Sequence, residues 1–350
     1  MRGRLSGSTM RRAGRQAVVP HSRPWLTQAD HDALSASLDS VMVADGDQSR
    51  KLEAAAARYL GLAGGVATPD GTSALYLALR ALNVGASDEV VIPTYVCEAV
   101  AQAVRWTGAT PVLCDVADDW CVNSETVRHV LTNRTKAVVV VHTFGIVAET
   151  RPIAELGVPV IEDLAQAFGA SSNDGKAGGV GELSIASFHA TKCLTTGEGG
   201  MAFGRDGRML DKLRELKSSA HRLPLSNLQA SLGLSQLSRY DEFLARRIRI
   251  AGRYRQAIPD RFLPSSAVLD RTIHFRFPVL VQGDVETLMA AFAARGVLAK
   301  RGVDALLHKE AGAFTGAESA FAHTLSLPIH PSMSAEEVDR VVEAAQQVLS

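Results

Sequence analysis

A lysine and an aspartate near the middle of the chain stand where both could do chemistry. Lys192 lies in residues 187–200, a run rich in small hydroxyl and glycine residues that follows an apolar stretch. Asp163 ends another apolar stretch upstream. An amine in such a turn can form a Schiff base with an aldehyde, and a carboxylate can pair with a protonated pyridine nitrogen. The two residues therefore predict a site for pyridoxal phosphate (PLP), with Lys192 at the aldehyde and Asp163 at the ring nitrogen.

The surroundings of Lys192 argue against an ordinary surface charge. Most lysines are solvated, but this one precedes Cys193 and Leu194 and stands in a turn rich in glycine and threonine. Desolvation there would lower the pKa of the amine and favour the neutral form that attacks an aldehyde. The residue fits a covalent role better than a solubilising one.

Small residues at the start of a predicted helix could hold the cofactor phosphate. Gly71, Thr72 and Ser73 follow a predicted strand, so free backbone N–H groups and two hydroxyls would meet there. Taken alone, such a run is more often only a helix cap, and the phosphate hypothesis depends on the lysine and the aspartate. Ser187 ends another predicted strand; its hydroxyl could reach the same phosphate or could bond only to its own strand.

Two further polar residues follow the predicted strands. Gln166 comes three residues after Asp163, so we expect it to point to the same ligand from the first turn of a helix. His142 closes an apolar strand, and we interpret it as a histidine that is satisfied by hydrogen bonds at a pocket wall rather than as a catalytic group.

The elements that must position these residues are typical of an α/β protein. Strands that are apolar throughout and alternate with helices indicate a parallel sheet covered on both faces, and ligands bind at the carboxyl ends of such strands. A long helical stretch is predicted over 226–255, and a second strand-helix alternation follows it. Strands of the sheet are predicted over 65–68, 89–93, 110–115, 135–142, 159–162, 183–188 and 201–204. We predict a disordered basic tail at 1–20, a large PLP-binding domain at 21–250 and a small C-terminal domain at 251–350.

Composition narrows the class of protein. The chain has 37 Lys and Arg residues and 37 Asp and Glu residues, so its formal net charge is zero. This balance does not indicate a nucleic-acid partner, and no run of about eighteen apolar residues could span a bilayer. The four cysteines have neither CxxC nor Cys/His metal spacing. We therefore expect reduced thiols, no metal site, no membrane or nucleic-acid partner and a cytoplasmic protein.

At these residues the sequence resembles the DegT/StrS family of PLP-dependent sugar aminotransferases, within the aspartate aminotransferase (fold type I) superfamily. The resemblance covers residues 20–349. Its landmarks are Arg23-Pro24, Gly71-Thr72-Ser73-Ala74-Leu75, 88–93, 108–112, 141–145, 161–170, the lysine run, Leu228-Gln229-Ala230 and 325–331. It implies a mostly parallel seven-stranded sheet in the large domain and a smaller α+β C-terminal domain. It also implies a homodimer with shared active sites and amino transfer from L-glutamate or L-glutamine to a keto sugar, often nucleotide-linked.

The resemblance also implies a role for each site residue. Lys192 would be the Schiff-base lysine, Asp163 the partner of the pyridine nitrogen, and Gln166 a contact of the cofactor ring or its hydroxyl. The phosphate would be held by Thr72, Ser73 and Ser187. A dehydratase branch of the family has histidine in place of the lysine, so Lys192 favours transamination. The alternatives are another PLP reaction, such as dehydration or β-elimination, and a PLP-binding regulatory protein without catalysis.

The chain departs from the family pattern in three places. Where an aromatic ring usually stacks on the cofactor, counting back from Gly108 places Cys97; either Tyr95 reaches over the ring instead or the stack is absent. Where the partner subunit normally lends an asparagine to the phosphate, this chain has Arg222, whose guanidinium could serve. The stretch 304–320 is short and lacks tyrosine, so the family's substrate contacts from that loop are not carried over.

Overall fold

The computed structural model of the protein describes residues 18–172, 175–219 and 223–350. The predicted tail at 1–20 therefore lies outside the described residues as far as residue 17. At its end Val19 is fully buried and pairs with Val297 of the C-terminal part of the chain.

A seven-stranded sheet forms the centre of the large domain, with strands in the order β1-β9-β8-β5-β4-β2-β3. Strand β9 runs antiparallel to both of its neighbours, and the pairs from β8 to β3 are parallel. The prediction of a mostly parallel sheet is confirmed. The strands are β1 Gly64–Thr68, β2 Glu89–Pro93, β3 Thr110–Cys114, β4 Thr135–Val141, β5 Val160–Asp163, β8 Leu183–Ser187 and β9 Gly200–Gly204, and a hairpin of β6 Ser171–Ser172 and β7 Gly175–Lys176 precedes β8.

Helices cover both faces of this sheet, which explains why its central strands are apolar throughout. One face packs under α3, α4 and α7, and the other under α2, α8 and the first half of α9. Both faces of the parallel strands are therefore buried. The helices are α1 Gln28–Asp39, α2 Asp47–Leu60, α3 Gly71–Ala81, α4 Glu98–Trp106, α5 Ser124–Val130, α6 Thr150–Ala154, α7 Gly207–Ser219, α8 Asn227–Ser238 and α9 Tyr240–Ala257.

The C-terminal part has its own core around a three-stranded antiparallel sheet of order β10-β12-β11. Helix α9 connects the two cores, because Phe243 packs with the large sheet and Tyr254 with the small one. The domain boundary predicted near residue 250 falls inside this helix. The elements are α10 Ser266–Leu269, β10 Phe277–Leu280, α11 Val285–Ala294, β11 Lys300–Arg301, α12 Thr315–His323, β12 Thr324–Leu327 and α13 Ala335–Val348.

The helical stretch predicted over 226–255 is two helices and not one. Helix α8 ends at Ser238, and Arg239 adopts φ −117° and ψ 11°, outside the helical range, before α9 begins. At this break the side chain of Arg239 forms an ion pair of 2.7 Å with the buried Asp30 of α1.

Candidate active site

Lys192 and Asp163 meet at the carboxyl edge of the large sheet. Asp163 is the last residue of β5 and is only 5% exposed, with its Oδ1 accepting a hydrogen bond of 2.8 Å from the Ala165 N–H. Lys192 lies in the turn after β8, where its N–H donates to the His189 carbonyl at 2.9 Å. The charges of the two side chains act on each other. The structure therefore brings the two predicted residues into one site.

Burial dominates the ionisation of both groups. It raises the pKa of Asp163 above its usual value, against the opposing effects of the Ala165 N–H and the Lys192 charge. It lowers the pKa of Lys192, against the opposing effects of Cys97 and Asp163. The Lys192 Nζ also lies 5.3 Å from the centroid of the Phe275 ring. A lysine in this setting reaches its neutral, nucleophilic form at a lower pH than a surface lysine.

Gly71 and Ser187 form one wall of a small cradle beside these residues. Gly71 begins α3, and a Cβ added there would lie 2.8 Å from the Ser187 Cβ and 3.2 Å from its Oγ. The helix start thus lies against the end of β8 more closely than a larger residue would allow. Because the first N–H groups of a helix have no acceptor within it, this junction is suited to an anion such as a phosphate.

The two other residues predicted for the phosphate differ in their surroundings. Thr72 is partly exposed at the first turn of α3. Ser73 belongs to the helix cap: its N–H donates to Asp70 Oδ1 at 2.7 Å and its hydroxyl to Asp70 Oδ2 at 3.1 Å. A hydroxyl that donates to a carboxylate has no proton left for a phosphate, so the role predicted for Ser73 would require its Oγ to rotate.

Gln166 links the site to the loop after β4. Its Oε1 accepts a hydrogen bond of 2.8 Å from the Phe144 N–H, which leaves the side-chain NH₂ group as a donor. Phe144 itself has a positive φ of 59°, a conformation that non-glycine residues adopt only at some cost. The glutamine therefore holds a strained turn in place while it presents a donor at the edge of the sheet.

The structure separates the two alternatives for the missing aromatic stack. Tyr95 is only 1% exposed, and its ring packs edge-on against Phe144, with centroids 6.2 Å apart, in the core beneath the site. Cys97 caps α4 and is open to solvent, although enough protein surrounds it for desolvation to raise the pKa of its thiol. The charges of Lys192 and Asp163 also act on this thiol. In this arrangement a thiol faces the site and Tyr95 does not.

His142 and Glu162, which flank Asp163, are structural. The His142 ring is fully buried; its Nδ1 accepts from the Ala148 N–H at 3.0 Å, so its Nε2 donates to Glu162 at 3.0 Å. Glu162 also accepts N–H bonds of 2.8 to 3.0 Å from residues 178, 180 and 181. Burial acts to raise the pKa of Glu162. The hydrogen bond with His142 and the N–H bonds from residues 181 and 178 outweigh burial and leave this pKa below its usual value. The interpretation of His142 as a satisfied histidine agrees with this geometry.

Two residues of the site were not singled out from the sequence. Phe275 and Arg276 come from the segment that leads into the small sheet, and the Arg276 Cζ lies 5.8 Å from the centroid of the Phe275 ring. In the sequence both lie in residues 274–281, a stretch typical of an ordinary strand, and no spacing or motif marks them. Arg222, by contrast, was predicted but lies outside the described residues.

The residues present fit PLP. The glycine cradle can take the phosphate, the buried carboxylate can hold a proton on the pyridine nitrogen, and the desolvated lysine can bind the aldehyde. Among the described residues no group of three or more His, Cys, Asp or Glu side chains could hold a metal ion. No helix in the described ranges is long and apolar enough to cross a membrane. Fold and site together define a PLP-dependent transferase of fold type I.

Comparison with known proteins narrows this class. The DegT/DnrJ/EryC1/StrS aminotransferase family matches residues 24–346. GDP-perosamine synthase of Caulobacter vibrioides is 31% identical over 360 residues, which cover 93% of this chain and 97% of that protein. The spore coat polysaccharide biosynthesis protein SpsC of Bacillus subtilis is 31% identical over 386 residues, with 96% and 98% covered. The crystal structure of the aminotransferase TlmJ from Streptoalloteichus hindustanus has a TM-score of 0.89 at 30% identity, with 95% and 98% covered.

The chain belongs to the DegT/DnrJ/EryC1/StrS aminotransferase family. It is a PLP-dependent sugar aminotransferase, and the resemblance found in the sequence is confirmed.

Proposed function

We propose that this enzyme transfers an amino group from L-glutamate or L-glutamine to a keto sugar that is linked to a nucleotide. The observation that carries the proposal is the placement of Lys192 and Asp163 in one desolvated site, where the charge of each acts on the other, because a lysine there can move protons as well as bind an aldehyde. The name of the Caulobacter vibrioides relative, which specifies a GDP-linked sugar, supports a nucleotide-linked acceptor.

Each site residue then has a distinct task. PLP, when bound, supplies an electron sink that makes the proton on the donor's α-carbon removable. Asp163 keeps a proton on the pyridine nitrogen by its negative charge. Lys192, in its neutral form, would take the proton from the donor's α-carbon and, as the ammonium, would deliver it to the cofactor's C4′ carbon. The start of α3, with Gly71 and Thr72, and the hydroxyl of Ser187 bind the phosphate, and Gln166 contacts the ring.

We further propose that the active enzyme is a homodimer with shared sites. Apolar side chains at the end of α1 and in the loop that follows are exposed, with Val41 at 81% and Met42 at 65%. This loop is fixed to the start of α8, since the Met42 carbonyl accepts a hydrogen bond of 2.8 Å from Asn227 Nδ2. An exposed apolar surface of this kind fits a subunit interface. The family resemblance implies that Arg222, which precedes α8 in the sequence, serves the partner's phosphate. The four cysteines are free thiols, which supports a cytoplasmic enzyme.

A two-stage reaction tests the proposed chemistry. The PLP-loaded enzyme is mixed with L-glutamate or L-glutamine, and loss of the cofactor's visible absorbance reports the first half-reaction. A panel of nucleotide-linked 3-keto and 4-keto sugars, with cyclitol ketones beside them, is then added. Return of the absorbance with a nucleotide-linked sugar is the expected result. Return with the free ketones alone would refute the nucleotide-linked acceptor, and no loss with either amino acid would refute the donor.

A further inference from the structure

A hydroxyl, a histidine and a carboxylate form a chain of hydrogen bonds between the end of β2 and the start of α12. Thr94 follows β2, and its Oγ1 lies 2.7 Å from the His308 Nδ1. The His308 Nε2 lies 3.2 Å from Glu318 Oε1. Because a carboxylate only accepts, a neutral His308 donates from Nε2 and accepts at Nδ1 from the Thr94 hydroxyl. The order resembles that of a catalytic triad, but Thr94 is fully buried, so its hydroxyl cannot attack a substrate.

The loop that carries His308, residues 302–314, is fixed on both sides of the histidine. The Leu307 N–H donates to the Thr94 carbonyl at 3.2 Å. Glu318 accepts N–H bonds of 2.8 to 3.4 Å from within the loop. The His308 ring also packs on Phe314, with centroids 4.8 Å apart, and only 7% of its side chain is exposed. The loop therefore holds Thr94 through both main chain and side chain, and His308 is not free to turn away.

Thr94 begins the turn that brings Cys97 to the site. Its N–H donates to the Cys114 carbonyl of β3 at 2.9 Å, and Cys97 caps α4 three residues further on. The charges of Lys192 and Asp163 act on the Cys97 thiol. The family resemblance implies an aromatic ring at this place, and a thiol has far less surface with which packing could fix it. The position of this wall of the site therefore depends on the backbone of the turn.

We propose that His308 is a positioning residue for amino transfer: by joining Thr94 to Glu318 it fixes the turn at 94–97, and with it the wall of the site that carries Cys97. Lys192 follows a different strand, so the place of this wall sets the space left for the cofactor beside the lysine. A displacement of about 1 Å at a reacting atom can cost about 100-fold in rate. His308 acts through Thr94 and is not itself a catalytic residue, because both of its ring nitrogens are engaged.

Two conservative variants of His308 separate the two bonds. In His308→Asn the amide oxygen can replace Nδ1 and keep the Thr94 bond, whereas in His308→Gln the amide NH₂ can replace Nε2 and keep only the Glu318 bond. The kinetic test rests on the proposed function, because it uses an amino acid as donor.

We expect His308→Gln to lower the single-turnover rate constant at saturating L-glutamate or L-glutamine by about tenfold, with the half-saturating concentration changed less than about threefold. Thr94→Val, which removes the hydroxyl, should behave in the same way. His308→Asn should keep the rate within about threefold of the wild type. His323→Gln is the matched control and should change neither quantity, because His323 is an exposed histidine of α12 that bonds to the Ser319 carbonyl of its own helix.

Alkylation of the apo-enzyme by iodoacetamide gives a readout that needs neither cofactor nor substrate. Cys97 is exposed and the other three cysteines are buried, so peptide mass spectrometry can follow the turn through one thiol. Cys97 should react about fivefold or more faster in His308→Gln and Thr94→Val than in the wild type, which is the effect of losing one hydrogen bond. His308→Asn and His323→Gln should react at the wild-type rate.

Three results would each overturn the proposal: Cys97 reactivity that is not raised in His308→Gln and Thr94→Val, equal loss of rate in the asparagine and glutamine variants, and a loss confined to the half-saturating concentration. If His308→Gln does not fold, Thr94→Val decides both measurements. A wild-type enzyme that reacts with neither amino acid would instead refute the proposed donor, and alkylation would still decide the role of His308, so the two failures are distinguishable.

Discussion

Gly71 offers the most direct test of the phosphate cradle, because the nearest atoms that a side chain added there would contact all belong to Ser187. In Gly71→Ala the new Cβ would lie 2.8 Å from the Ser187 Cβ, so the start of α3 or the end of β8 must move by roughly half an ångström. Overpacking of this kind costs about 1–3 kcal/mol. Replacing a helical glycine by alanine stabilises the folded protein by only about 0.5–1 kcal/mol. The steric term therefore dominates, and the displaced atoms are those that would meet the phosphate.

We expect PLP affinity to fall by about 10- to 100-fold in Gly71→Ala, since hydrogen bonds to a charged group contribute about 1.5–3 kcal/mol. The assay is titration of the apo-enzyme with PLP, followed by absorbance of the bound cofactor. Gly207→Ala is a matched control: Gly207 also begins a helix, and its added Cβ would meet no atom within 4 Å. A PLP dissociation constant that is the same in both variants and the wild type would refute the cradle.

Three further variants test the remaining roles. Lys192→Ala should abolish turnover and leave a folded protein, and more than a few per cent of wild-type activity would rule out its covalent role. Asp163→Asn should bind PLP more weakly and lose most of its rate; near-normal kinetics would contradict its role. Burial raises the pKa of Asp163. At pH values above the usual pKa of a carboxyl group, its ionised form therefore destabilises the apo-enzyme. Apo Asp163→Asn should therefore melt above the wild type at pH 7, with a difference that shrinks towards pH 4; a constant difference would contradict this. Arg222→Ala should weaken PLP binding by roughly one to two decades if the residue reaches the partner's phosphate; an unchanged dissociation constant would refute that contact.

The fold and the centre of the site could be predicted because their signals are local. Apolar strands that alternate with helices predict a parallel sheet, and polar residues just after a strand must lie at its carboxyl edge. Lys192, Asp163 and Gly71 were predicted for the site in this way, and their roles there remain predictions. The break between α8 and α9 was not predicted, because no glycine or proline marks it; Arg239 at the break pairs with Asp30, more than two hundred residues away in sequence.

Side-chain direction was harder to predict than position. Tyr95 and Cys97 are two residues apart, yet the first packs into the core and the second faces the lysine. Ser73 has the residue type of a phosphate ligand but is engaged by Asp70 as part of the helix cap. A sequence pattern does not specify which of several partners a hydroxyl or a ring will choose, because that choice depends on packing from distant segments.

Phe275 and Arg276 show a more general limit of prediction from sequence. The proposed cofactor contacts within the described residues come from the edge of the large sheet, whereas Phe275 and Arg276 come from the segment held by Arg247 next to the small sheet. The place of these two residues beside Lys192 depends on how the C-terminal part of the chain packs against the large sheet. No motif around the lysine or the aspartate therefore predicts them.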